Sequence, residues 1–291
     1  MTKNEVKKIV RRVLPRGIFD ALQRLRKIGY KPPPEIAAMR TRHLSYQPAM
    51  SDMMALRPGI ILRIDPRSRE PFEWFCFRSP EMVNEMDYFM KEADKFASFV
   101  DVGANHGVFS LAFSSKRNGA PVLAIDPSPI AFEILERNRG LNGFTSMRTL
   151  NIACGNQAGE IRMIPNWHHL EAVSDEASDE GIVSIKVETL DDLCAGHNVW
   201  PDLIKIDVEG FELPVIQGGE EALNTARLLF LEIHPQRIEE LGFSQVEIFD
   251  HLSTRDWTAM TLQNRTLSRA EFSDRIHTFW TVCRKIDAAT A

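Results

Sequence analysis

Two spacings of apolar residues divide the chain. Between Lys3 and Ile28 they recur at Val6, Ile9, Val10, Val13 and Leu14, then at Ile18, Leu22, Leu25 and Ile28, the spacing of a helix face. Pro15 splits that stretch into two predicted helices, and Lys31-Pro-Pro-Pro34 closes it as a stiff linker. Two β-like runs follow, Ile60–Ile64 and Phe72–Phe77, separated by Asp65-Pro-Arg-Ser68. They predict a hairpin, leading into a helix over residues 80–92 that Ser79-Pro80 starts. From residue 98 short apolar runs alternate with helical stretches, the pattern of βαβ units and a parallel sheet. The predicted strands are Phe99–Val102, Val122–Ile125, Met147–Ile152, Leu203–Ile206 and Leu228–Ile233, with helices over Val108–Arg117 and Pro129–Asn138. Two last runs, Trp257–Leu262 and His277–Arg284, predict an antiparallel hairpin at the sheet edge with no helix between its strands. Three segments result: 1–56, a basic helical arm and linker; 57–97, a hairpin and helix; and 98–286, an α/β core.

Charge sharpens the division. The 291 residues carry a formal −5, but residues 1–42 hold twelve Lys/Arg against three Asp/Glu, a local +9. The remainder then has 23 basic against 37 acidic residues, a net −14. An acidic body argues against a nucleic-acid partner. The basic face of the arm, with Lys7, Lys8, Arg11, Arg12, Arg24 and Lys27, suits peripheral contact with an anionic membrane or another chain. The plainer reading is a helix resting on the body with its charges solvated. Cys76, Cys154, Cys194 and Cys283 lie far apart with no CxxC pair, as expected of reduced thiols in a cytoplasmic protein. No apolar run is long enough for a spanning helix, and the charged N-terminus lacks the apolar stretch of a secretory signal. Composition leaves oligomeric state open.

The segment Phe99-Val-Asp-Val-Gly-Ala-Asn-His-Gly107 joins the first core strand to its helix. Its glycines let backbone approach a ligand, and ligands of open α/β sheets bind at such strand ends. The next strand ends in Ile125-Asp126-Pro127, a carboxylate placed to accept hydrogen bonds from both hydroxyls of an adenosine ribose. A dinucleotide needs GxGxxG to cradle its pyrophosphate; counted from Gly103, Asn105 and Val108 stand where glycines would be required. S-adenosylmethionine carries no phosphate and fits the looser turn better. Asp101 is the candidate partner of its ammonium group, directly or through water; Gly103, Ala104, Asn105 and Gly107 form the turn, and Ala153 and Cys154 end the third strand beside the expected adenine.

The strings FVDVGANHGVFS, AIDPSP, IKIDVEGFELPVIQGGE and LFLEIHP, in that order, resemble the FkbM-type S-adenosylmethionine-dependent methyltransferases. The third string is the most specific, and the likeness covers about residues 60–285. It implies the class I methyltransferase fold, a Rossmann-like three-layer α/β sandwich around a mostly parallel seven-stranded sheet with a C-terminal antiparallel hairpin. It also implies methyl transfer, typically to a hydroxyl of a sugar, glycan, lipid or secondary-metabolite acceptor. Asp126 departs from the glutamate more usual in the family; either carboxylate can hold a ribose.

The remaining strand ends carry the candidate catalytic groups. Alternation puts Asp207 and Glu209 on one face if the fourth strand extends that far, and Glu232 and His234 together at the end of the fifth. Transfer from a sulfonium needs an aligned acceptor and a destination for its proton. His234, with a reference pKa nearest neutrality, is the first expectation for general base, and Asp207 orients the acceptor or replaces it. No tight ligand spacing demands a metal; the alternative places Mg²⁺ or Mn²⁺ between Asp207, Glu232 and His234. Plainer roles exist: Glu209 and Glu212 capping the next helix, Asp207 bonding turn amides, and His234 satisfied by backbone. Pro165–Gly181, containing Trp167, His168 and His169, is polar and aperiodic, either a lid or a solvated loop. Thr189 with Asp192 forms a near capping box. A nicotinamide-dependent oxidoreductase and a non-catalytic binding protein acting through the arm remain the competing functions.

Overall fold

The computed structural model describes residues 53–57, 60–73, 80–165, 170–172 and 183–285. All belong to one compact unit, Tyr46–Ala291. The basic arm, the proline linker, Ser79, Cys76 and the Trp167, His168 and His169 trio lie outside the described residues.

In chain order the strands are β1 (Met53–Arg57), β2 (Ile60–Arg63), β3 (Phe99–Val102), β4 (Val122–Ile125), β5 (Met147–Leu150), β6 (Ala153–Gly155), β7 (Gly159–Pro165), β8 (Leu170–Ala172), β9 (Val183–Thr189), β10 (Leu203–Ile206), β11 (Leu228–Ile233), β12 (Trp257–Met260) and β13 (Phe279–Lys285). Seven of them form the central sheet in the order β12-β13-β11-β10-β3-β4-β5. The pairs from β11 through β5 are parallel, while β13 runs antiparallel between β11 and β12. This is the expected class I methyltransferase architecture, with its edge hairpin. Both faces of β3, β4, β10 and β11 are covered, so nearly every residue on them is apolar and buried.

The two faces differ in chemistry. Val100, Val102, Ile204, Ile206, Leu229 and Leu231 point into one aliphatic core. The opposite face carries Phe99 and Phe230, against which Phe89, Phe109, Phe113 and Trp280 stack. Phe89 comes from helix Pro80–Ala93 and Phe109 from helix Val108–Lys116. By the same alternation Asp101, Lys205 and Glu232 lie on this aromatic face, so charge is buried among rings. The helix ends follow local chemistry. Ser128 accepts from the Ala131 N–H ahead of Pro129, and Gly143 closes that helix with a left-handed φ of 65°. Thr189 accepts from the Asp192 N–H, as its spacing predicts.

Four sequence expectations are corrected. The hairpin joins β1 to β2, not Ile60–Ile64 to Phe72–Phe77. Asp65-Pro66 is no inter-strand turn: the Asp65 carboxylate accepts from the Arg67 N–H, capping a 3-10 turn that runs into helix Arg69–Glu73 and buries Phe72. A helix, Arg269–Ser273, stands between β12 and β13, begun by a Ser268/Glu271 capping box. Finally, β5 ends at Leu150, and Ala153 opens a separate four-stranded sheet, β6-β9-β7-β8, with its own small core of Ala153, Met163, Ile185 and Val187.

Candidate functional site

A cavity of about 320 Å³ opens at the carboxyl ends of β3, β4 and β10, roofed by the small sheet. Gly103 sits at its floor. The N–H groups of Gly103 and Ala104 both donate to the Ile125 carbonyl, at 2.9 and 3.0 Å, drawing the turn across β4. The φ of Gly103 is 78°, and a side chain there would place its Cβ 1.8 Å from the Asp207 carbonyl oxygen. The close passage of two strand ends thus demands glycine. Asp126 is buried above it, accepting from the Asn105 N–H at 2.7 Å and the Ser128 N–H at 2.9 Å. Burial pushes its carboxyl up to about 6, against those two amide bonds. Each oxygen keeps acceptor capacity toward the cavity.

Of the expected cofactor residues, Gly103, Asn105, Asp126, Ala153 and Cys154 line the cavity, whereas Asp101, Ala104 and Gly107 do not. Asp101 is wholly buried, accepting from the Ser110 hydroxyl at 2.6 Å and paired with Lys205 at 3.4 Å. Its part is therefore to hold the floor from behind. Gly107, left-handed at 85°, starts helix Val108–Lys116. Asn151 bonds the Asp126 and Pro127 carbonyls, both at 2.9 Å, fixing the strand end rather than the cavity wall. Burial raises the Cys154 thiol, which stays protonated.

The candidate catalytic groups do converge. Asp207 and Glu209 line the cavity, and His234 stands behind them with Nε2 3.6 Å from Glu209 Oε2 and 3.9 Å from both Asp207 Oδ1 and Glu232 Oε2. Because β10 ends at Ile206, simple alternation does not reach Glu209; a left-handed pair, Glu209 at φ 52° and Gly210 at 108°, turns it back. His234 Nδ1 lies 2.7 Å from Glu212 Oε1, and Glu212 also accepts from the Gly210 N–H at 3.1 Å. Burial disfavours charge on the imidazole, but the Glu212 bond and then Asp207 and Glu209 outweigh it, raising His234 to about 9. That shift favours the imidazolium at neutral pH. Burial raises Glu232 well above the usual range, helped by Asp207 and Glu85, and it shares a hydrogen bond with Asp207. Burial works against Asp207 as well, yet Lys205 and His234 hold it ionised and lowered.

Sequence reasoning missed Lys205, whose Nζ reaches the Gly103 carbonyl and Asp207 Oδ2, both at 3.2 Å, beneath the rings of Phe109 and Trp280. A lone lysine inside the apolar run Leu203-Ile-Lys-Ile206 was the available signal. Glu212 was expected only as a helix cap. Ile161 and Met163 on β7 and Phe243 also line the cavity; sequence reasoning missed this small sheet, for which the alternation of Val183, Ile185 and Val187 was the available signal.

A parallel sheet with a glycine turn at β3, an acid at β4 and further acids at β10 and β11 defines a class I methyltransferase architecture. The profile of the Methyltransferase FkbM domain matches residues 101–259. The chain belongs to that family and is a methyltransferase. It is 29% identical over 188 residues to the hexuronic acid methyltransferase AglP of Haloferax volcanii, covering 63% of this chain and 75% of that one. It is 26% identical over 208 residues to the 2-O-methyltransferase NoeI of Sinorhizobium fredii, covering 64% and 83%. Among solved structures, a ribosomal protein L11 methylase from Lactobacillus delbrueckii superposes with a TM-score of 0.44 at 17% identity, covering 83% of this chain and 91% of that one. No helix among the described residues is long and apolar enough to cross a membrane.

Proposed function

We propose that this methyltransferase draws its methyl group from S-adenosylmethionine and delivers it to a hydroxyl of a sugar or glycan-like acceptor. The observation that carries the reading is one continuous cavity lined both by the glycine turn and Asp126 and by the carboxylates Asp207 and Glu209. The residues fit the cofactor. The described lining carries four carboxylates, Asp126, Glu160, Asp207 and Glu209, and no Lys, Arg or His. Such a lining favours a donor with ammonium and sulfonium charges and repels the pyrophosphate of a nicotinamide dinucleotide. When bound, S-adenosylmethionine supplies an electrophilic methyl group on a positively charged sulfur.

The chain's own residues do the rest. Asp126 accepts from ribose hydroxyls, and Ile152, Cys154 and Met163 offer an apolar wall. Lys205 holds the Gly103 turn and Asp207 in one frame. At the acceptor end the carboxylates of Asp207 and Glu209 orient the hydroxyl and take its proton. A carboxylate is basic enough because an oxygen acquiring a methyl group becomes strongly acidic at its O–H. In the metal-free chain His234 is a charged group beside these two carboxylates. The activities for which the two relatives are named, on a hexuronic acid and at a 2-O position, support a sugar hydroxyl as acceptor. Labelled methyl transfer to hexuronic acids, neutral sugars and oligosaccharides tests the proposal. An O-methylated product that disappears with Asp207→Asn is expected; transfer only to nitrogen or carbon acceptors overturns it.

A further inference from the structure

We propose that Asp207, Glu232 and His234 bind a divalent cation of the Mn²⁺ class at the acceptor end of the cavity, deepening the methyl-transfer reading on which its use rests. Each residue offers one ligand atom, and these atoms lie within 4.8 Å of one another. They come from the adjacent ends of β10 and β11, paired in register and rigid.

The imidazole supplies the independent observation. His234 is 7% exposed. Its Nδ1 is 2.7 Å from Glu212 Oε1, an acceptor that is itself fully buried and anchored by the Gly210 N–H. The ring is therefore turned so that Nε2 aims at the carboxylate oxygens of Glu209, Asp207 and Glu232. At 3.6, 3.9 and 3.9 Å all three are beyond hydrogen-bond reach. Two ligand atoms that each stand about 2.1 Å from one cation lie about 3.0 to 4.2 Å apart, depending on the angle between them. The separations from Nε2 lie within the range for two ligands of one cation, and the hydrogen bond that Glu232 shares with Asp207 holds the other two ligands together until a cation displaces its proton. A carboxylate on the far nitrogen of the imidazole is also the usual support of a metal-binding histidine.

The charges agree. Lys205 engages Asp207 through Oδ2, leaving Oδ1 on the side of His234. Four carboxylates, Asp207, Glu209, Glu212 and Glu232, surround the imidazole, and Lys205 offsets one. Two oxygens and one imidazole nitrogen suit Mn²⁺ better than Mg²⁺, which favours oxygen and water. Of the three, Asp207 borders the cavity and Glu232 and His234 lie behind it, so an acceptor hydroxyl would meet the cation on the Asp207 side. A hydroxyl held there would be polarised: as the oxygen–methyl bond forms, the methyl–sulfur bond of the donor breaks with its electron pair left on the sulfur, and the O–H proton passes to Glu209, whose side chain is 49% exposed beside the cluster.

The test uses the full chain stripped by chelator, titrated with Mn²⁺ and followed by electron paramagnetic resonance, without methyl donor. About one bound Mn²⁺ per chain is expected, with a nitrogen coupling from imidazole in pulsed spectra of the unmutated protein. Glu232→Gln should weaken binding by about tenfold or more. Folded protein that binds no Mn²⁺ at about 1 mM, or bound Mn²⁺ without nitrogen coupling, overturns the site; the second readout needs no variant to fold. Unchanged affinity in folded Glu232→Gln overturns it too. Calorimetry of the same stripped protein with S-adenosylhomocysteine reads the donor site separately, so failure of one proposal is distinguishable from failure of the other.

Discussion

At the scale of single residues, the account turns on carboxylates held in unequal surroundings. Asp126 is raised to about 6 by burial, so its ionised form is disfavoured by folding. Its stabilising effect is complete below the ordinary carboxylate range and lost as pH rises through about 6. Donor binding has the opposite sign, because ribose hydroxyls donate best to an ionised acid. Affinity for S-adenosylhomocysteine should therefore fall as pH drops through about 6, and Asp126→Asn should flatten that dependence. Calorimetry across pH 5 to 8 checks both, with pH bounds of about that width sufficient to span the transition. Glu212 is the positioning residue behind His234. Glu212→Ala should lower stability by about 1–3 kcal/mol, the usual effect of stranding a buried donor. It should also lower kcat far more than donor affinity, and it is the split between these two readouts that separates positioning from bulk stability.

At the scale of elements, Gly103 is the most sensitive position. Gly103→Ala combines a left-handed backbone with a Cβ aimed into the Asp207 carbonyl, so the ends of β3 and β10 must separate. A loss of about 3 kcal/mol or more is expected, read as a lower denaturation midpoint, with donor binding abolished in whatever folds. Gly143, where a Cβ meets nothing within 4 Å, is the control: Gly143→Asn tolerates the same backbone and should leave binding intact. Much of this was legible beforehand. Apolar runs bounded by acids and glycines located β3, β4, β10 and β11 to the residue, because strands buried on both faces admit little else. Asp207 and His234 were recognisable as strand-end groups. Other parts were ambiguous for physical reasons. Asp65-Pro66 is equally good chemistry for a turn or a helix cap, and the choice depends on where Phe72 finds a core. Ser268 and Glu271 have capping-box spacing, but the helix they start has only five residues and lies between two β-like runs. No local pattern announces that Lys205 meets Asp101, since that contact forms only when β10 pairs with β3.

At the scale of the whole molecule, one sheet brings the glycine turn with Asp126 and the carboxylates Asp207 and Glu209 into a single cavity. The metal-free chain stores part of its stability in the imidazolium of His234. That contribution is complete below the reference value of 6.5 and lost as pH rises through about 9. Urea midpoints of the wild type and His234→Gln should therefore converge between neutral pH and about 9.5, whereas a constant gap would show that the charge does not matter. The central claim is that the cavity between Gly103, Asp126 and Asp207 holds an adenosyl sulfonium donor. Its most direct test is calorimetric titration of S-adenosylhomocysteine into the wild type and Asp126→Ala, both verified as folded. Binding of about micromolar strength to the wild type, weakened by about tenfold or more in the variant, is the predicted result. A flat trace for the wild type, or equal affinity in the two proteins, would contradict it.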